Sequence, residues 1–168
     1  MKLTMHAISV PYFAAMLTNL SHVLSKAETW AIERKIDPQV LLLDRLAPDM
    51  LPFSRQVMIA TDHAKGGCAR LANVDVPSSP DTEMTIADLQ SRIAKVRDFI
   101  VALPVDAFMG AEDRMVKLRV GPREMEFEGL TYLQGFAMPN FLFHVTTAYA
   151  ILRHNGVPLG KGDFFGRG

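Results

Sequence analysis

The chain has one cysteine and one tryptophan in 168 residues, and no excess of either charge. With Cys68 alone, no intramolecular disulfide can form, and nothing in cysteine usage asks for an oxidising compartment, so a cytoplasmic location is expected. Eighteen basic residues balance eighteen acidic ones. That balance offers no basic footprint, so nucleic acid and anionic membrane surfaces are not expected partners. No uninterrupted apolar run approaches the roughly 18 residues of a membrane span. The apolar stretch from Ile8 to Leu17 has the flavour of a signal peptide. Pro11 interrupts it, however, and its amphipathic pattern continues through Leu20, Val23 and Leu24, which reads as mature helix. No internal repeat is evident.

What is present is a large apolar fraction, 49% of residues, with ten Met and ten Phe. That suits an ample core or an apolar subunit interface. The length is that of one domain, expected to span 1–168, and needs no staples.

Apolar residues at Phe13, Met16, Leu17, Leu20, Val23, Leu24, Ala27 and Ala31 recur at helical spacing. They predict a first helix that begins between Thr4 and Ser9 and ends near Arg34. Asp37-Pro38 reads as an N-cap and first helical residue of a short connector running through Leu41, Leu42, Leu43 and Leu46. Asp49 repeats that start signal before Pro52, ahead of a second long helix with Phe53, Val57, Ala60, Ala64, Cys68 and Leu71, stopping around Asn73. The stretch from Val76 to Asp81 is turn-rich and reads as a crossover loop, long enough to join parallel neighbours. Thr85, with Asp88 three residues on, starts a third helix striped by Ile86, Leu89, Ile93, Val96 and Ile100 and ended by Leu103-Pro104. Between Arg114 and Glu128 the period changes to two on either side of Gly121-Pro122, which predicts a small β-hairpin. A fourth helix runs from about Leu130 to Arg153 and closes at Asn155-Gly156. The glycine-dotted tail, through Gly160, Gly162, Gly166 and Gly168, reads as irregular. The expected fold is all-α, a four-helix bundle with a long crossover and a hairpin before the last helix.

At about 100° per residue, Leu133, Ala137, Asn140, His144, Thr147 and Ile151 share one face of the fourth helix. Asn140 and His144 could offer an amide oxygen and an imidazole nitrogen to one ion or ligand. They could equally bond to each other, to Thr147 or to a backbone group across the bundle, as buried polar groups must. On the second helix, Gln56, Ala60, His63 and Gly67 form a second stripe: Gln56 and His63, two turns apart, could look into one cleft at different depths, or Gln56 could make a helix-boundary hydrogen bond and His63 form a partly solvated flank, while Asp62 reads as facing solvent or pairing with a base. Gly160-Lys161-Gly162 lacks the spacing of a phosphate loop, and Cys68 lacks a neighbouring base and reads as a structural thiol.

The run from Pro139 to Pro158, together with Leu46-Ala47-Pro48-Asp49-Met50 and Ser9-Val10-Pro11-Tyr12-Phe13, resembles an uncharacterised domain-of-unknown-function family within the DinB/YfiT-like superfamily. The resemblance implies a four-helix bundle, often dimeric. It also implies a divalent metal, zinc or nickel, held by a second-helix His and a His-x-x-x-His pair on the last helix. Characterised relatives include thiol-dependent transferases and metal-dependent hydrolases. By position the three ligands fall on Gln56, Asn140 and His144, so two imidazoles are replaced by amides, which bind transition metals weakly. His63 lies seven residues from the expected position, some 10 Å along the helix.

Two functions follow. One is a metal-dependent transferase or hydrolase in which His144 is a ligand or, without metal, a general base, with Gln56 and Asn140 orienting substrate. The other, favoured by the ligand count, is a bundle with a degenerate metal site that binds a small molecule, with Gln56, His63, Asn140 and Thr147 as contacts, or serves as a binding module. The apolar faces of Phe141, Leu142, Phe143, Val145 and Tyr149 suit a homodimer.

Overall fold

The computed structural model describes residues 3–167. Its frame is four long helices: α1 Met5–Glu33, α3 Phe53–Leu71, α4 Ile86–Val101 and α6 Met138–His154. Short elements complete it: α2 Pro38–Leu43, a 3-10 turn Val105–Phe108, strands β1 Met115–Val120 and β2 Arg123–Glu128, α5 Gly129–Tyr132, a π-turn Leu133–Ala137 and α7 Lys161–Phe164.

Side-chain contacts fix the directions. Gln56 meets His144 while Gly67 lies against Ala137, so α3 and α6 are antiparallel. Phe13 packs on Phe141 and Trp30 lies near Gly156, so α1 and α6 are parallel. Gln90 reaches Ser25, and Phe108 beyond the end of α4 reaches His6, so α4 opposes α1. Helices α3 and α4 are therefore parallel neighbours, the arrangement that requires the long crossover. Phe13, Leu17, Leu24, Phe53, Leu71, Leu89, Ile100, Leu133 and Phe141 fill the core between the four helices.

Most start and stop signals act as expected. Thr4 caps α1 by accepting from Ala7 N–H, and Asp37 caps α2 by accepting from Gln39 N–H. Thr85 and Asp88 form a reciprocal capping box. Gly156 closes α6 at φ +88°, a left-handed position where a side chain is disfavoured. Pro11 sits on an exposed side of α1 and the helix continues through it. By length and composition alone α1 could cross a membrane, which the absence of an uninterrupted apolar run does not anticipate; its apolar stripe is buried in this bundle.

Several boundaries differ. Helix α2 ends at Leu43 rather than reaching Leu46, and α3 is capped by Pro52 without a side-chain bond. Asp49 lies instead in a turn where Met50 N–H donates to Ala47 C=O, and the Phe53 N–H goes to Asp44 C=O. The tail is not wholly irregular. Helix α7 docks on α1 through a Lys26 Nζ to Asp163 Oδ1 ion pair of 2.6 Å and an Asn19 bond to Phe164 C=O; Gly168 lies outside the described residues.

The hairpin pairs Met115 with Glu128 through to Val120 with Arg123, turning at Gly121, φ +57°. It feeds directly into the last helix. There the Met138 N–H donates to Leu133 C=O five residues back, a wide turn that inserts one residue into the helical register.

The crossover is pinned by charges that the sequence pattern hides. Arg92 is only 4% exposed. Its guanidinium donates to Thr61 Oγ1 at 2.8 Å, Asp62 Oδ1 at 2.9 Å and Glu83 Oε1 at 3.0 Å, and also reaches Pro80 C=O and Asp81. Lys65, also buried, donates to Ser79 Oγ at 2.7 Å and pairs with Asp62. Two buried cations thus tie the loop to α3 and α4, and each is matched by carboxylates, as burial of charge demands.

Candidate functional site

The two histidines and Gln56 meet where α3 packs against α6. Gln56, 2% exposed, donates from Nε2 to Leu51 C=O at 2.9 Å, and its Oε1 lies 2.7 Å from His144 Nδ1. A carbonyl only accepts, so Leu51 fixes which end of the amide is NH2. The oxygen then faces the imidazole, and Nδ1 of His144 must carry the proton. Its Nε2 is left with a lone pair.

His63 is partly exposed, as a flank would be, yet it joins the site. Its ring lies parallel to that of His144, with centroids 5.8 Å apart and 13° between planes. Seven residues of α3 separate Gln56 from His63, and the His144 ring from α6 reaches both. Burial and the neighbouring His144 lower the His63 pKa to about 4, with Asp62 opposing and Arg70 adding slightly. Burial also lowers that of His144. At neutral pH the site presents two uncharged imidazoles.

Asn140 and Thr147 satisfy themselves locally, not through each other, His144 or a group across the bundle. Asn140 Nδ2 donates to Phe136 C=O at 2.7 Å, and Thr147 Oγ1 donates to Phe143 C=O at 2.7 Å, each four residues back on its own helix. The donor set expected for a metal therefore does not fit one here. Both ends of the Gln56 amide are engaged, and a proton on His144 Nδ1 points at its oxygen. Asn140 adds only a weak amide oxygen, and zinc sites collect three or four strong ligands. Among the described residues no group of three His, Cys, Asp or Glu side chains gathers at metal-binding distance.

A wall of rings continues from the histidines. Phe136, presented by the π-turn, meets His63 at 5.8 Å and stacks on Tyr132 at 5.8 Å and 20°. Phe127 of β2 closes over both. On the other flank Phe143 sets its edge to His144 at 5.2 Å and 90°. Aromatic spacing cannot predict this wall, since it joins a strand, a π-turn and two helices. Tyr132 also holds Arg70, whose Nη1 donates to the phenol oxygen at 3.1 Å. Neither residue belongs to the set expected from sequence; the signal available is the seven-residue repeat Gln56, His63, Arg70 along one side of α3.

Cys68 is fully buried and burial pushes its thiol pKa far upward, as a structural thiol requires. Asp62 pairs with Arg92 and Lys65 rather than turning to the histidines.

A crystal structure of a DinB family member protein from Shewanella denitrificans is 40% identical over 95% of this chain and 90% of that one, with a TM-score of 0.89. No curated protein matches the chain. Residues 5–165 match the family described as a domain of unknown function, DUF1993. With that match nearly end to end and a DinB structure so similar, the chain belongs to the DUF1993 family of DinB-like helical bundles.

Proposed function

We propose that this protein binds a small ligand bearing an N–H, O–H or S–H group, donated to the unprotonated Nε2 of His144, and that its inherited metal site is degenerate. The bond between Gln56 and His144 carries the reading. An amide locked between Leu51 C=O and an imidazole N–H acts on the tautomer of His144 rather than as a ligand. His63, neutral and parallel to His144, supplies a second imidazole face. Were the protein an enzyme without metal, His144 would be its general base. A cytoplasmic location is in keeping with its single, deeply buried thiol.

We propose further that the working unit is a homodimer. Of the apolar residues expected to suit a dimer, Phe141 and Val145 are buried in the core of the bundle, and Leu142 and Phe143 on α6, 36% and 55% exposed beside the site, are the ones that favour self-association. Mass measured against concentration tests this, and a strictly monomeric protein at micromolar concentration would count against it.

The second reading is a metal-dependent transferase or hydrolase of the DinB/YfiT type using zinc or nickel, favoured by two neutral imidazoles lying together. Metal content of tag-free protein, purified without chelators, separates the two. The degenerate-site reading expects no stoichiometric metal in wild type or His144→Ala after incubation with zinc, nickel and manganese. Near one ion per chain, lost in the variant, would replace it with the metal-dependent one.

A further inference from the structure

Arg70 is a cation without an anion. Among the described residues no carboxylate lies within ion-pair distance of its guanidinium, whereas the other two cations of α3, Arg55 and Lys65, each have one. Its one side-chain bond is the donation from Nη1 to Tyr132 Oη, so most of the five N–H donors of a guanidinium stay uncommitted.

Its placement is specific. The side chain folds back along α3, so that Nη1 sits where a side chain on Gly66 would be. Gly66 is three residues, about 4.5 Å of helix rise, beyond His63. The absence of a side chain at Gly66 thus lets the charged fork lie about one helical turn along α3 from His63, with the His144 ring on the Gln56 side, its centroid 5.8 Å from that of His63. The one acid carried by the same helix, Asp62, is held by Arg92 and Lys65. Tyr132, buried and anchored by its stacking on Phe136, fixes one edge of the fork. Burial raises its pKa, so it remains a neutral phenol and does not itself supply the missing negative charge.

We infer that Arg70, positioned by Tyr132 and Gly66, is the anion-binding end of the ligand site, and that the ligand is a small molecule whose carboxylate or phosphate group reaches past His63 from the proton-donating group held at His144. The fork geometry of a guanidinium matches both oxyanions bidentately. The inference rests on the proposed ligand-binding role of the histidines, and its test reads the two ends separately.

Acetate, inorganic phosphate and the uncharged analogue acetamide are titrated into the protein at constant ionic strength. The Arg70 side-chain Nε–H and the His63 and His144 ring nitrogens are followed by NMR. Acetate or phosphate should shift the Arg70 resonance saturably, with acetamide weaker by about tenfold or more, since a charge-assisted pair is replaced by a neutral one. Arg70→Met should abolish the anion-induced shifts at His63. Arg70→Lys, which keeps the charge and loses the fork, should weaken binding and keep acetate ahead of acetamide. An Arg70 resonance indifferent to both anions, or equal binding by Arg70→Met, overturns the inference. A saturable Arg70 shift in wild type and in His144→Ala alike, with no response at His144, would uphold the anion site while removing the proposed role of the imidazole pair.

Discussion

Gln56 determines which nitrogen of His144 carries the proton. The chain of constraint runs from the Leu51 carbonyl through a buried amide to the imidazole, over two bonds of 2.9 and 2.7 Å. Replacing Gln56 by Met keeps the volume and removes both bonds. The expected cost is about 1–3 kcal/mol, because a buried carbonyl and an imidazole N–H lose their partners. Nitrogen-15 spectra of His144 should show a single Nδ1-protonated tautomer in wild type and a mixture in the variant. The same spectrum in both would mean that something else sets the proton.

His63 makes the fold acid-sensitive. Its folded pKa of about 4 lies below the usual 6.5, so between these values the unfolded chain binds the proton and the folded one does not. Stability should therefore rise with pH through that window and fall on acidification, by at most about 3 kcal/mol from this residue. The lowered pKa of His144 acts in the same direction. Urea unfolding at a series of pH values should give a shallower dependence for His63→Phe than for wild type, and parallel curves would rule the effect out.

Arg92→Met should be among the more damaging substitutions away from the site. It leaves Glu83 without a cation, while Asp62 keeps Lys65 and Asp81 keeps Arg55, so that with partly exposed carboxylates the loss should be about 1–3 kcal/mol. Limited proteolysis should cut the crossover faster in the variant. Unchanged cleavage between residues 74 and 85 would show that the loop is held by other means.

Two glycines near the site should answer oppositely to Ala. A side chain on Gly129 would overlap the Ala111 carbonyl oxygen, whereas one on Gly135 meets nothing within 4 Å. Gly129→Ala should lower stability by about 2 kcal/mol or more because backbone must move. Gly135→Ala should be neutral or stabilising by less than about 1 kcal/mol, the difference in helical propensity. Thermal melts of the pair decide it.

The bundle was readable because its information is local. Periodic stripes on α1, α3, α4 and α6, the Asp37 and Thr85 caps and the switch to alternation at β1 and β2 each act within a few residues. Gln56 and His144 could be nominated from a family pattern, but their bond depends on Leu51, whose contribution is a backbone carbonyl that no side-chain pattern encodes. His63 read as a flank because helical arithmetic measures distance along one helix, and His144 reaches it from another. Arg92 and Lys65 look like surface residues until the crossover folds over them. Asp49 carries a valid capping signal, yet Pro52 begins α3 and Asp49 stays in the preceding turn.

The single extra residue in the π-turn works as an indexing shim. Upstream of it stand Tyr132 and the hairpin with Phe127; downstream stand Asn140 and His144. Removing one residue between 133 and 137 would restore an ordinary helix and swing the two halves by about 100° relative to each other. The aromatic wall and the imidazoles would then look in different directions, even though every helix, cap and core contact elsewhere could persist. Length in this segment is thus under tighter constraint than composition, and a one-residue gap here would separate relatives sharing this fold from relatives sharing this site.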